Sequence, residues 1–226
     1  MPVSLNHQPN YLGREYIMVQ IPNSFYRRHI PGKSPGILME RGRRRMMLFC
    51  QINKIRPPSI SEADDDHDWP FSACAYYRPE AIRIHLPSCG RPCGEHDVRN
   101  WTYPGSTTDR EPYGVVIHEL GHHVDWITSD KKCDYDYFGD YGYGVCRQSR
   151  EEPISGYHPN EAEWFAEMFR VFCTNPNLLR LLRPRTYTIL VQKWKPATDK
   201  TWVEELGPEC PDRVIRALER KIRSRR

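Results

Sequence analysis

His118, Glu119 and His122 stand in the stretch His118-Glu119-Leu120-Gly121-His122. These residue types at this spacing suit one chemistry, hydrolysis by water held at a metal ion. On a helix, side chains four residues apart lie one turn above the other on the same face. Both imidazoles can therefore reach a single Zn²⁺ at ~2.0–2.1 Å. Glu119 is rotated by about 100° from His118, near enough to act as a base toward that water. HExxH on a helix is the zinc metallopeptidase arrangement, with the glutamate as general base. A catalytic zinc keeps three protein ligands and one open position, so a third ligand must come from elsewhere in the chain.

A metzincin would supply a third histidine six residues after His122, but that position is Thr128, which excludes the class. A thermolysin-like arrangement takes a glutamate from a second helix downstream. The run Asn160-Glu161-Ala162-Glu163-Trp164-Phe165-Ala166-Glu167-Met168-Phe169-Arg170 has helical period and offers candidates. Glu163 and Glu167 share a face, while Glu161 points nearly opposite Glu163. Periodicity does not choose between Glu163 and Glu167. His123 faces away from His118 and His122 and reads as a polar or packing residue. Asp125 is a candidate for orienting a histidine from behind.

These side chains need scaffolding. Gly114 to Ile117 and Val124 to Ile127 give the HELGH helix its apolar stripe, and Ser106 to Asp109 with Pro112 suit its N-terminus. Strands are expected over Tyr16–Ile21 and Met46–Ile52. Ser72–Tyr77 and Ala81–Leu86 read as a β-hairpin leading into that helix, with an edge suited to receiving an extended peptide. The segment from Asp130 to Tyr157, rich in Tyr, Asp and Gly, reads as a long irregular wall or lid. A short helix around Leu178–Leu182, an apolar segment Tyr187–Trp194 and a basic helix from Asp212 complete the chain.

HELGHHVDW followed by NEAEWFAEMFR resembles the catalytic domain of anthrax toxin lethal factor and its relatives, including the bacterial Pro-Pro endopeptidases. The likeness runs roughly from Tyr113 to Val191 and includes an echo at Pro184-Arg185-Thr186-Tyr187. It implies an α+β, zincin-like metalloprotease fold: a mixed sheet, an active-site helix and a second helix bearing the glutamate, as in gluzincins. It further implies Glu163 as the third zinc ligand and Glu167 as the partner of a zinc histidine. The family places a tyrosine shortly before NEAE to donate to the oxyanion. Tyr157, three residues before Asn160, is the candidate here, with Tyr141 and Tyr143 as alternatives. The first 60 residues show no match, and substrate preference does not carry over.

The chain of 226 residues suits one metallopeptidase domain over 1–195, with a basic helical extension over 196–226. With 38% hydrophobic residues, 27% charged residues and 20 prolines, it describes a soluble, loop-rich protein. No stretch approaches the ~18 apolar residues of a membrane span, so no membrane partner is expected. Met1–Asn10 is polar and unlike a secretory signal. The cytoplasm is the expected location, with a delivered effector or a particle component as other routes.

The net charge is +4, yet Arg213–Arg226 holds seven basic residues against Glu219 alone. Such a run is a solvated helix end or an arm for nucleic acid. His85, Cys89, Cys93 and His96 place four soft ligands within twelve residues, enough for a second, structural zinc, a local disulfide or free thiols. The expected partner is a protein or peptide substrate and the expected cofactor one catalytic zinc. The alternative is a structural or binding protein, particle component or nucleic-acid associated, that retains a metallopeptidase fold. The intact HExxH and both downstream glutamates weigh against it.

Overall fold

Apolar residues recur at three- and four-residue spacing in several segments, and the described residues are accordingly mostly helical, with one small mixed sheet and two short two-stranded ribbons among them. The computed structural model describes residues 5–9, 15–19, 35–62, 76–79, 81, 83–86, 112–130, 132–133, 138–154, 160–198, 216, 220, 223 and 224. In order these form β1 (Leu5–Pro9), β2 (Glu15–Val19), α1 (Pro35–Asn53), β3 (Ser59–Glu62), β4 (Tyr76–Arg78), β5 (Arg83–Leu86) and α2 (Pro112–Thr128). Then come β6 (Lys132–Cys133), β7 (Phe138–Gly139), α3 (Asp140–Ser149), α4 (Glu161–Thr174), α5 (Pro176–Leu182) and α6 (Pro184–Lys193).

α2 lies between α1 and α4 and packs on both. α4 is buried around almost its whole circumference: Phe165, Phe169 and Phe172 on one side and Trp164, Met168 and Val171 on others are all core. A helix apolar all round belongs inside a fold, and each fully buried large apolar side chain contributes about 1.5–3 kcal/mol relative to exposure. Phe49 of α1 meets Phe169 edge-on, with ring centroids 5.1 Å apart.

The sheet order is β3-β5-β4, with β3 parallel and β4 antiparallel to β5. The hairpin read over 72–86 is present as the β4–β5 pair, and β4 is the sheet's edge on the side of α2. β2 corresponds to the first expected strand and pairs antiparallel with β1.

Two expectations are corrected. Met46–Ile52 is not a strand but the last part of α1. Met46, Phe49 and Cys50 are buried while Met47, Leu48 and Ile52 are exposed, so a seven-residue stretch that is apolar except at Gln51 hides a helical spacing of three and four. The segment after Asp130 is not wholly irregular, since it holds the β6–β7 ribbon and α3.

Asn175 ends α4 and begins α5, and Arg183 ends α5 and begins α6, each followed by the proline that suits a first helical turn. Beyond α6, Lys195 exchanges hydrogen bonds with the Asn53 side chain through both its N–H and its carbonyl. Arg216, Arg220 and Arg223 are helical and exposed. Cys50, Cys146 and Cys173 are free thiols. No described helix is long and apolar enough to cross a membrane.

Candidate metal centre

α2 presents His118 and His122 one turn apart, and α4 faces them with Glu163. Asn160 caps α4 by accepting from the Glu163 N–H at 2.9 Å, which fixes the first turn of the helix while the Glu163 carboxylate points into the cluster. His118 Nε2 lies 2.9 Å from Glu163 Oε2 and 3.2 Å from His122 Nε2, and His122 Nε2 lies 3.5 Å from Glu163 Oε2. A tetrahedral ion with bonds of ~2.0–2.1 Å separates its ligand atoms by about 3.3–3.4 Å. The triangle therefore has the size that a zinc-sized ion requires. These three residues form the one group of potential metal ligands of this kind among the described residues. Glu163 keeps 16% of its side chain exposed and His122 11%, against 6% for His118, so solvent reaches the cluster from their side.

Behind the ligands, Glu167 Oε1 stands 2.9 Å from His118 Nδ1. A carboxylate there accepts the Nδ1 proton and leaves the Nε2 lone pair directed at the cluster. Glu167 is itself gripped by Arg170, whose Nε and Nη2 donate to its two oxygens at 3.0 and 3.1 Å. Both residues are almost wholly buried.

The electrostatics follow from this pairing. Burial disfavours a charged His118, yet hydrogen bonds and charges from Glu163 and Glu167 outweigh it and push the imidazole up to about 10. Burial likewise works against the carboxylates. The His122 charge and the bond to His118 still hold Glu163 well below its ordinary value, and Arg170 followed by His118 pulls Glu167 down to about 2. Both carboxylates are anions at neutral pH, and a cation in the cluster offsets their charge.

Glu119 is 5% exposed. Burial raises its carboxyl above 4.5, and the Glu163 charge adds to this, while His122, His118 and a backbone hydrogen bond from Tyr77 hold it back. A carboxyl raised in this way is better matched to taking and returning a proton near neutral pH.

His123 is buried away from the cluster, with Nδ1 2.9 Å from the Tyr77 hydroxyl and Nε2 2.9 Å from the Arg56 carbonyl. The carbonyl only accepts, so Nε2 carries the proton and Nδ1 accepts from Tyr77. Burial keeps the ring below its ordinary value despite the bond to Arg56.

Asp125 does not orient a histidine. Its carboxylate accepts from Gly139 N, Gly142 N and Ser129 Oγ at 3.0, 2.7 and 3.2 Å, tying the end of α2 to the start of α3. Two backbone N–H groups at a helix entrance attract a buried carboxylate strongly. Tyr141 accepts from Trp194 Nε1 at 3.0 Å and packs edge-on against Phe165. Tyr143 is exposed beneath Arg147. No described contact of either tyrosine is with the ligand triangle. Tyr157, Cys89, Cys93 and His96 lie outside the described residues, as does the side chain of His85, whose backbone sits in β5 opposite Tyr76 and Ser61.

Sequence reasoning missed Arg170 and Tyr77. Arg170 was detectable as a lone cation three residues after Glu167 inside an aromatic helix, the spacing of a helical ion pair. Tyr77 carried no signal, because its partner is 46 positions away. No known protein-family model matches this chain, and no curated protein sequence matches it either.

Proposed function

We propose that the chain is a zinc-dependent endopeptidase, zincin-like in fold and related to the lethal factor and Pro-Pro endopeptidase group that its motifs resemble. The observation that carries this reading is the meeting of two separate motifs. His118 and His122 from one helix and Glu163 from another bring three ligand atoms within 4.8 Å of one another, with Glu119 on the same helix as the histidines. A structural zinc site is closed by four ligands, whereas three protein ligands beside a free carboxylate suit catalysis. The edge strand β4 packs against α2, where an extended peptide can add to the sheet.

Zinc, when bound by His118, His122 and Glu163, supplies a Lewis acid that polarises the scissile carbonyl and acidifies the attacking water. Glu119 takes the proton of that water and returns it to the leaving amine. Glu167 holds the proton on His118 Nδ1, and Arg170 holds Glu167 in place. Tyr157 is assigned the oxyanion donor's role that the resemblance implies.

Metal analysis together with digestion of an unbiased peptide library tests the reading. One zinc per chain and cleavage that vanishes in Glu119→Gln while zinc is retained are expected. Hydrolysis at the full rate in Glu119→Gln rules this mechanism out.

A further inference from the structure

The three-stranded sheet turns one face toward α2, where Tyr77 meets His123. On that inner face Tyr77 of β4 pairs with Ile84 of β5, and Ile84 with Ile60 of β3. Tyr77 and Ile84 are buried. Side chains alternate between the faces along a strand, so the neighbouring row belongs to the outer face. That row is Ser59, Arg83 and Arg78, in register across β3, β5 and β4. Ser59 and Arg83 are exposed and Arg78 is half-buried. Arg83 Nε donates to Ser59 Oγ at 3.3 Å, which draws its guanidinium toward β3.

Two arginines therefore stand directly opposite each other on neighbouring strands, and like charges so placed repel. Among the described residues Arg83 meets no carboxylate, its side chain bonding to Ser59. Arg78 sits on the outermost strand, since β4 pairs with β5 on one side and its other side is the open edge. A peptide that adds there as a further strand lies ~4.7–4.9 Å from β4. Its residue in register with Arg78 continues the row across the outer face. The two Cβ atoms then stand ~4.5–5.5 Å apart, within reach of an ion pair.

We propose that Arg78, backed by Arg83, makes the chain select peptides with an Asp or Glu side chain at the position that pairs with Arg78. This rests on the peptidase reading above and names the class of substrate for that site. Arg83 sets a cation, not a carboxylate, across the strand from Arg78. An arriving carboxylate is thus bonded by one arginine and attracted by the second. The residues on either side of it in the peptide turn to the inner face, away from both cations. Selection is therefore confined to one position and absent at its immediate neighbours.

Kinetics on a peptide that the intact chain cleaves, with Asp and Asn exchanged at each position in turn, test this. Asp is expected to raise kcat/KM about two- to fivefold over Asn at one position. The gain should lie in KM rather than kcat, because the contact is the same in ground and transition states. It should shrink as salt rises from about 0.05 to 0.5 M. Arg78→Glu should invert the preference, so that Lys is favoured there over Asp. Arg83→Glu gives Arg78 a carboxylate across the strand and should abolish the preference without inverting it. Neither arginine is buried, and each ratio is read within one variant, so a change in overall rate does not blur it. An intact chain with no such Asp preference, or a preference that stays the same in both variants, overturns the proposal.

Absence of peptide hydrolysis in the intact chain would defeat the functional reading instead. Selection from a random short-peptide library on immobilised Glu119→Gln protein then decides whether the face binds carboxylates. Enrichment of acidic peptides that is lost when Arg78→Glu is added supports it, and no acidic enrichment overturns it.

Discussion

Gly121 lies directly against the backbone of Ala166: a methyl group on Gly121 would stand 2.8 Å from the Ala166 Cα and 3.2 Å from its carbonyl oxygen. The central helix and the glutamate-bearing helix cross there, and this close approach lets Glu163 and Glu167 reach His118. In an open helix, replacing glycine by alanine gains up to about 1 kcal/mol. Here the obstacle is main chain, which cannot turn aside, and overpacking of this kind costs about 1–3 kcal/mol. Gly121→Ala is therefore expected to lower the melting temperature and to weaken zinc binding together, measured by thermal unfolding and chelator competition.

The two glutamates should separate cleanly. Glu163→Ala removes a ligand and should cost most of the zinc affinity. Glu167→Gln removes only the partner of a ligand and should weaken zinc by about 10–100-fold. If chelator competition ranks them the other way round, the third ligand is Glu167.

Arg170→Met removes the cation that holds both Glu167 oxygens and leaves the buried carboxylate only its bond to His118, and breaking a buried pair in this way costs up to about 3–5 kcal/mol. Denaturant unfolding of the zinc-free protein should register the loss, so the effect belongs to the fold as well as to the metal. A stability close to that of the intact chain would show that the pair is not needed.

Zinc binding should strengthen as pH rises. His118 is pushed up to about 10 in the metal-free arrangement, so zinc must displace a proton there at neutral pH. Apparent affinity is then expected to climb about tenfold per pH unit for each proton released between pH ~6 and ~8. The stability of the zinc-free protein runs differently. The raised value of His118 contributes stability that is complete below 6.5 and lost as pH rises through about 10. The lowered value of Glu167 contributes above 4.5 and is lost as pH falls through about 2. Melts of chelator-treated protein should therefore peak, as far as these two groups decide it, between 4.5 and 6.5.

Arg216, Arg220 and Arg223 are helical and exposed, and their spacing puts them on one side of a helix. Truncation after Gly207 should leave hydrolysis of short peptides intact. If the tail is an arm for nucleic acid, the intact chain binds DNA with an affinity that falls steeply with salt, and the truncated chain does not. An unfolded truncation product would instead show that Val214, Ile215, Leu218 and Ile222 belong to the core.

The helices that carry chemistry were legible because their apolar residues keep a period near 3.6 over long runs: Val116, Leu120 and Val124 on one, Phe165, Phe169 and Phe172 on the other. Their crossing was not legible, since it depends on Gly121 meeting Ala166 and such pairs leave no mark on either sequence alone. The same periodicity placed Glu163 and Glu167 on one face but could not say which stands nearer the histidines. That depends on how far along α4 the contact falls. Met46–Ile52 misled because it is apolar on both faces, so that the buried Phe49 and the exposed Leu48 look alike. Asp125 misled because short polar residues serve backbone N–H groups as readily as side chains, and one of its donors belongs to a ribbon fourteen residues away.

The single-residue joints at Asn175 and Arg183 carry a mechanical consequence. With no slack between three successive helices, α4 cannot shift along or about its axis without dragging α5 and α6, and an inserted residue at either joint would swing the next helix by about 100°. The carboxylates on α4 are thus held by leverage from beyond its C-terminus as well as by their own bonds. Ordering the ligands is then part of folding itself, so stripping the ion should leave a socket of the same shape, ready to refill at a rate set by diffusion and proton release rather than by refolding.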